Sequence, residues 1–450
     1  MKASAKPIME PTVSRVLPVQ IITMLISVSA MFVDSIIIGM FLKDDALAAY
    51  GLTTPITLFI TAFGGMIGNG VQVLASESAG AGDKKRLNKV FSTSLIAGAT
   101  GALAICLGTI IFSEPLAKLL GAKSEPVISL TAEYLRGIAL CFPLIVCVLI
   151  IPSFLQMANG RQHMVNGTLI LIVLDIGFDL LNVYAFKGGM FGMALASTLS
   201  YVIGFTYIIL AYFKSSPYKL LFKDFSFKIL RSVMYFGLLY LTYKMCTVLM
   251  SLSLNRILSE KGGVVLVAAN SIISSVNLCL GSFPSGIGST TTMMCSYYIG
   301  KNDEQSRSCF IKKILVIGII IEILLAVLII SIAPFLVDLF NPDSNEIRIS
   351  TESGLRLFSL SIVFNVVNYI IKNASQSMKD MKLAYLICIL NDLTLPFIAS
   401  MVLSYTIDLR YIWLCYCIGQ ATTMLAVMIL LLLRKRKMTK AMKSITRTIL

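Results

Sequence analysis

Two aspartates lie one helical turn apart inside an apolar stretch, LILIVLDIGFDLLN, at positions 175 and 179. A carboxylate is costly in the hydrocarbon core of a membrane, so an acid in such a segment normally faces a protein interior or an aqueous cavity and marks a functional site. Because Asp175 and Asp179 are four residues apart, a helix places them on one face. A third acid, Asp34, lies in the first apolar stretch, within MFVDSIIIG.

These acids are predicted to lie at similar depths. Asp34 and Asp179 each precede the lysine that ends their apolar stretch by eight or nine residues, which is about 12–14 Å along a helix. Thr198, on the next apolar stretch, lies about 16 Å from the same end, level with Asp175. If the first, fifth and sixth helices pack together, three carboxylates and one hydroxyl meet at one height.

Two chemistries suit such a cluster. Three carboxylates cannot all remain ionised in a poorly solvated pocket, so they either share a proton or hold a cation such as Na⁺ with their oxygens. Either arrangement can couple ion binding to a change of conformation. The alternative is a set of structural acids that hydrogen-bond polar backbone groups.

Composition predicts the elements that would carry these residues. The 450 residues are 57% hydrophobic and 14% charged, with a mean hydropathy of +0.85, whereas a soluble domain has about a quarter of its residues charged. The chain is therefore predicted to be an all-α polytopic membrane protein with twelve transmembrane helices. The predicted spans are 14–42, 46–76, 90–113, 126–152, 163–186, 189–213, 232–257, 263–299, 311–338, 350–373, 382–406 and 410–433.

The basic residues predict the orientation. Of the 38 lysines and arginines, 26 fall in the even-numbered loops and the two terminal segments, which the positive-inside rule places in the cytoplasm. We expect a multi-pass protein of the cell (inner) membrane with both termini cytoplasmic. The basic tail at 434–450 is interpreted as an anchor on anionic lipid, so the net charge of +15 does not indicate nucleic-acid binding.

An internal repeat divides the chain. Residues 46–83 match 265–303 at a shift of 220, which pairs Ala48/Ala268, Gly68/Gly288, Gly80/Gly300 and Asp83/Asp303. The same shift continues along the chain and pairs Arg136/Arg356 and Gln156/Gln376. A shift spanning six helices predicts two pseudo-symmetric six-helix bundles in the same orientation, which suits alternating access around a central cleft. The predicted organisation is an N-terminal lobe at 1–213, a cytoplasmic linker at 214–231, a C-terminal lobe at 232–433 and the tail at 434–450.

The chain resembles the multidrug and toxic compound extrusion (MATE) family. The motifs that carry the resemblance are VDSIIIGMFLKDDALAAYGLTTP, ESAGAGD, VAANSII…GIGST…YYIGKND and VLDIGFDLLNVYAFKGGMFGMALAST. The resemblance implies a V of two lobes and efflux of amphipathic, often cationic compounds driven by Na⁺ or H⁺. In the DinF-like branch, the coupling positions match Asp34, Asp175 and Asp179. The family usually has Asn where this chain has Asp175, which favours a protonated site.

The second half offers fewer acids. The NorM-like branch has acids on helices seven and ten, but helix seven here carries Lys244 instead, and the place on helix ten is taken by Asn365. Asp392 is a further candidate for the substrate cavity, together with Asn365 and Lys244. Lys244, Glu322 and Lys372 either line the cavity or extend to an interface. The glycines of helix two are predicted to permit close helix packing; they are Gly64, Gly65, Gly68 and Gly70.

The predicted function is a secondary antiporter for organic compounds, exchanged for H⁺ or Na⁺. The alternative is a flippase for lipid-linked oligosaccharides or lipids, which would favour a cationic cavity. No HExxH or GxSxG motif is present, and there is a single histidine, so we expect neither an enzyme nor a cofactor. We expect no metal other than Na⁺ bound transiently at Asp34, Asp175 and Asp179. The expected partners are small organic substrates and the lipid bilayer, and the expected state is a monomer.

Overall fold

A computed structural model describes residues 13–157, 160–215, 222–340 and 344–437, and within these ranges the chain is helical with no β-strand. The helices of the first half are α1 (Val13–Gly80), α2 (Lys84–Ile111), α3 (Ser113–Leu119), α4 (Glu125–Ala139), α5 (Phe142–Met157), α6 (Arg161–Leu181) and α7 (Gly189–Ser215). The rest are α8 (Phe227–Leu280), α9 (Ser282–Gly300), α10 (Glu304–Leu339), α11 (Asn345–Ser359), α12 (Ser361–Ser377), α13 (Met381–Ile389), α14 (Leu395–Thr406) and α15 (Leu414–Lys437). The terminal segments 1–12 and 438–450, including most of the basic tail, lie outside the described residues.

The described helices confirm the predicted class of fold. Nine of them are long and apolar enough to cross a membrane, and the bent pair α4 and α5 makes a tenth span. One of these, 227–300, is 74 residues long, far longer than the roughly 20 residues that one crossing needs. It is interrupted at Gly263, whose φ of 63° and ψ of −163° are not helical. The break separates the predicted spans 232–257 and 263–299.

The chain forms two compact units, one ending at Leu241 and the other beginning at Thr242. Within the first unit, α6 packs against α1 and α7, and α4 packs against α7. Within the second unit, α12 packs against α9, α10 and α15. The core of the second unit is apolar and includes Trp413, Leu258 and Ile412, which are fully buried. The inner helices of the second unit are therefore packed around an apolar core.

The same turn recurs in both halves, as the repeat predicts. The turn before α2 has Gly82 at φ 68°, and the turn before α10 has Asn302 at φ 56°. The next residue caps the helix in each case: the carboxylate of Asp83 accepts from the backbone N–H of Arg86, and that of Asp303 accepts from the N–H of Ser306, both at 2.9 Å. A positive φ favours Gly and Asn, so the sequence pattern GD and ND has a structural cause.

The Asp303 cap should contribute to stability in a pH-dependent way. Its hydrogen bonds from Ser306 lower the pKa of the Asp303 carboxyl below its ordinary value of 3.8. A lowered folded-state pKa gives stability that is present above the unfolded pKa and is lost as the pH falls through the folded value. We expect Asp303→Ala to lower the melting temperature at pH 7, and the difference from wild type to shrink below pH 4. Asp303→Asn, which keeps an acceptor oxygen, is the matched control and should melt above Asp303→Ala. Equal melting temperatures of Asp303→Ala and wild type at pH 7 would contradict the assignment.

Candidate functional site

Helix α6 turns both of its aspartates away from the lipid-facing side. Asp175 is 4% exposed and Asp179 is 1% exposed. The opposite face is apolar and outward, since Val173 is 66% exposed and Leu169 is 44% exposed. This division follows from the helical period, because residues 175 and 179 share one face while 169 and 173 share another. The sequence prediction that the acids point into the protein is consistent with this placement.

The carboxyl of Asp175 faces hydroxyl groups on α7. The side chains of Ser197 and Ser200 interact with it, and the Ser200 hydroxyl also donates to the carbonyl oxygen of Ala196 at 2.9 Å. The buried thiol of Cys141, from the segment between α4 and α5, is close to both Asp175 and the hydroxyl of Thr198. One oxygen of Asp175 accepts no hydrogen bond from the described residues. A buried acceptor left open in this way can take up a proton or contact a cation.

Thr198 lies in the same region but uses its hydroxyl differently. The Oγ1 atom lies 3.0 Å from the carbonyl oxygen of Ala194, one turn earlier on α7, and 3.2 Å from that of Gly137 on α4. These contacts help hold α4 against α7. The serines on either side of Thr198 face Asp175, and they are residues that sequence reasoning did not select. The spacing of Ser197 and Ser200, three residues apart in ASTLS, was the available signal.

A tight turn fixes the end of α6 that follows Asp179. Asn182 begins a π-helical turn, Asn182–Phe186. Its side-chain oxygen accepts from the backbone N–H of Gly188 at 3.0 Å, and its Nδ2 donates to the carbonyl of Gly189 at 3.2 Å. A Cβ on Gly192 would overlap the Asn182 side chain, so α7 starts directly against α6. The turn therefore sets the height of Asp179 relative to the residues of α7.

The helix that carries Asp34 packs against α6. The rings of Phe41 on α1 and Tyr184 after α6 meet edge to face with centroids 5.3 Å apart. Ile37 and Ile38, between Asp34 and Phe41, are buried at 6% and 0% exposure. The side chain of Asp34 itself lies outside the described residues. The predicted meeting of Asp34 with Asp175 and Asp179 thus stays a prediction, although α6 packs against both of the other helices that it needs, α1 and α7.

The expectation of a transient Na⁺ site at Asp34, Asp175 and Asp179 stays a prediction. Among the side chains that the structure describes, no three from His, Cys, Asp and Glu are grouped to hold a metal ion. Asp34 is not one of those side chains. Asp175 and Asp179 lie on one face of α6, and serine hydroxyls lie opposite. The described residues therefore supply oxygen atoms, which can bind either a proton or a Na⁺ ion.

A second buried polar cluster lies within the second unit. The Nζ atom of Lys372 on α12 is 3.6 Å from Oδ2 of Asp392, and both side chains are under 10% exposed. Asp392 sits in a π-helical turn, Leu390–Thr394. The neighbouring Asn391 donates from Nδ2 to Asp392 at 2.8 Å and to Asn365 at 3.0 Å. Two of the three predicted cavity residues, Asn365 and Asp392, are therefore joined through Asn391.

The remaining charged residues of these spans are placed as follows. Lys244 is half-buried, with its ammonium 5.6 Å from the centroid of the Tyr243 ring. Lys372 and Glu322 are 5% and 0% exposed, so the protein encloses both side chains, and the choice between cavity and membrane interface stays a prediction. Neither carboxylate oxygen of Glu322 accepts a hydrogen bond from the described residues. The aromatic partners of Lys372 had no signal in the sequence beyond the tyrosines themselves.

These features define the class of protein, a polytopic helical membrane protein with buried acids in a duplicated bundle. A family model described as MatE matches residues 20–181 and 241–406, once in each half. The chain therefore belongs to the MATE family of transporters, as the sequence motifs predicted.

Curated relatives match over part of their length. The multidrug export protein MepA of Staphylococcus aureus is 28% identical over 177 residues, which are 39% of this chain and 39% of that protein. The protein of the same name from Staphylococcus saprophyticus is 27% identical over 179 residues, 40% of each chain. Each match spans about two fifths of the relative's length.

Solved structures share the fold over almost the whole chain. A structure described as the outward-facing conformation of a multidrug resistance MATE family transporter has a TM-score of 0.89 at 19% identity and is covered over 100% of both chains. A MATE structure in complex with MaL6 has a TM-score of 0.87 at 20% identity, over 97% of this chain and 96% of that one. The structure of a MOP superfamily transporter from Pyrococcus furiosus has a TM-score of 0.86 at 20% identity, with the same coverage. These likenesses show the fold, which is the predicted twelve-helix MATE arrangement.

Proposed function

We propose that this protein is a secondary antiporter of the cell membrane. It exports amphipathic, cationic organic compounds in exchange for an inward-moving ion by alternating access. The observation that supports this most directly is the burial of Asp175 and Asp179 on one face of α6, since two acids held inside an apolar bundle are costly unless they bind an ion. The relatives are named multidrug export proteins, which agrees with export of varied compounds.

We propose H⁺ as the coupling ion. Asp175 adds a second carboxyl to the face of Asp179, where the family pattern has an amide. Two carboxyls close together favour sharing a proton, because two like charges held side by side in an apolar bundle repel each other, and a covalently bound proton removes one of those charges. The hydroxyls of Ser197 and Ser200 can donate to the carboxylate form or accept from the protonated form. A cycle of protonation and release at this pair would then favour one conformation over the other.

The coupling ion is tested by separating the two gradients. The purified protein is reconstituted in liposomes, and uptake of a fluorescent organic cation is followed with the membrane potential clamped to zero. We expect uptake when only a pH gradient is imposed, and little uptake when only a Na⁺ gradient is imposed at equal pH. Liposomes without protein are the blank. Uptake driven by Na⁺ alone would overturn the choice of ion, and uptake that neither gradient drives would overturn the antiporter.

A further inference from the structure

The Lys372 ammonium is enclosed by two aromatic rings and one carboxylate. Its Nζ atom lies 3.7 Å from the centroid of the Tyr369 ring and 4.7 Å from that of the Tyr243 ring. The two rings meet edge to face, with centroids 5.8 Å apart. Asp392 closes a third side, with its Oδ2 atom 3.6 Å from Nζ. The cation box, defined here as Tyr243, Tyr369 and Asp392, is built from α8, α12 and the π-helical turn of the second unit.

The ammonium is held by the rings as much as by the carboxylate. A charge-assisted hydrogen bond between an ammonium and a carboxylate is about 2.7–2.9 Å long, so the 3.6 Å separation from Asp392 is a loose ion pair. By contrast, 3.7 Å to the Tyr369 centroid is well inside the range of about 6 Å for a cation–π contact. Aromatic faces with one counter-charge are the recognition chemistry of weakly hydrated organic cations.

One side of the box is held by hydrogen bonds, and one of its two aromatic walls is partly exposed. The carboxylate of Asp392 is held by Asn391, whose side-chain oxygen in turn accepts from Nδ2 of Asn368 at 2.7 Å. Tyr369 is 7% exposed, whereas Tyr243 is half-buried. The lysine reaches the box on a flexible four-carbon stem, so its ammonium can leave while the rings and the carboxylate stay in place.

We propose that the cation box is a binding site for a monovalent organic cation and that Lys372 is its built-in occupant, which the bound cation displaces. This inference rests on the proposed function in one respect, which is that the substrates are organic cations. It adds the residues that bind them. Exchange of one cation for another keeps Asp392 compensated, which avoids the large cost of a buried unpaired charge. A neutral or anionic compound cannot make this exchange. The lysine thus restricts the site to cations and weakens their apparent affinity by competition.

The test is binding of tetraphenylphosphonium, a permanently charged and weakly hydrated cation, to the purified full-length protein in detergent. Lys372→Met removes the competing charge and keeps an unbranched side chain. We expect it to bind tetraphenylphosphonium about tenfold more tightly than wild type by calorimetry. The variant should also melt below wild type without ligand, because Asp392 loses its partner. It should gain more in melting temperature on adding the cation, because the ligand replaces that partner.

Two further variants identify the groups that bind. Lys372→Met combined with Asp392→Asn should lose the tenfold gain, because the counter-charge is gone. Tyr369→Leu with the lysine intact should weaken wild-type binding, and it carries the test if Lys372→Met does not fold. The matched control is Lys261→Gln, since the Lys261 ammonium also lies over a tyrosine ring, that of Tyr405, 3.1 Å from its centroid. That control should bind as wild type does.

The proposal is overturned if folded Lys372→Met binds tetraphenylphosphonium no more tightly than wild type. It is also overturned if the double variant keeps the gain, or if Tyr369→Leu binds as wild type does. Binding in detergent needs no ion gradient, so failure of this test is distinguishable from failure of the antiporter in liposomes.

Discussion

Asp179→Asn is expected to abolish efflux while leaving the protein folded. The substitution keeps the size and shape of a side chain that is 1% exposed but removes the group that binds and releases an ion. Without that group, ion binding no longer favours one conformation, and coupling to substrate is lost. Cells making the variant should accumulate a fluorescent cation such as ethidium to the level of cells without the transporter. Asp34→Asn, on the helix that packs against α6, is expected to do the same.

The same substitution at a different aspartate serves as the control, because it shows whether the loss of an aspartate anywhere in the chain abolishes efflux. Asp338→Asn alters an exposed acid at the end of α10 that pairs with Arg348 at 2.9 Å, and exposed pairs contribute little. Its efflux should equal that of wild type. The amount and the size-exclusion profile of each variant show whether it folds. Wild-type efflux by folded Asp179→Asn would remove this residue from the coupling site.

The inward direction of the α6 acids was predictable because it depends on local sequence and a large energy. A charge facing lipid costs several kcal/mol, and the helical period then assigns residues 175 and 179 to one side. The same reasoning places the twelve apolar spans, since each needs about 20 residues to cross the hydrocarbon core. Both inferences use only neighbours along the chain.

The partners of these acids were not predictable in the same way. Successive residues on a helix differ by about 100° in direction, so depth alone cannot distinguish Thr198 from Ser197 beside it. Ser197 and Ser200 interact with Asp175, although the Ser200 hydroxyl also donates to the carbonyl oxygen of Ala196. The hydroxyl of Thr198 contacts the carbonyl oxygens of Ala194 and Gly137. Which of them faces α6 depends on the rotation of α7, and that is set by its contacts with α4 and α6.

Lys372 shows a second limit of the sequence. An isolated lysine within a span suggests an interface or a cavity, because the alternative is an unpaired buried charge. Tyr369 lies 3 residues before it on α12, a spacing that places the two on one face of the helix. Asp392 lies 20 residues after it, and no local pattern connects it to the lysine. Only the packing of α12 against the π-helical turn brings Asp392 to the other two. The cation box is therefore a tertiary feature that composition and periodicity leave out.

The glycines of the second predicted span were expected to allow close helix packing, and the structure confirms this. Gly70 on α1 lies against α8: a Cβ at this position would overlap the carbonyl oxygen of Val233. The contact is reciprocal one turn away, since a Cβ on Gly237 would overlap the carbonyl oxygen of Met66. The two helices of the first unit therefore touch through their backbones, a contact that any larger residue prevents.

Gly70→Ala is accordingly expected to destabilise the first unit strongly. The atom that blocks the new methyl group belongs to the backbone of α8, which cannot rotate away as a side chain can. The helices must separate along their length, and dispersion contacts between them are lost. Overpacking of this kind costs typically about 1–3 kcal/mol and occasionally more, and a rigid backbone neighbour favours the upper end. Thermal unfolding in detergent measures the loss as a lower melting temperature.

The control is Gly108→Ala on α2, where a Cβ would meet nothing within 4 Å. Alanine has the higher helix propensity, by up to about 1 kcal/mol, so this variant should melt at or above the wild-type temperature. The two substitutions add the same methyl group to a transmembrane helix and differ in what that group meets. If Gly70→Ala has the same melting temperature as Gly108→Ala, the backbone contact between α1 and α8 is not what holds these helices together.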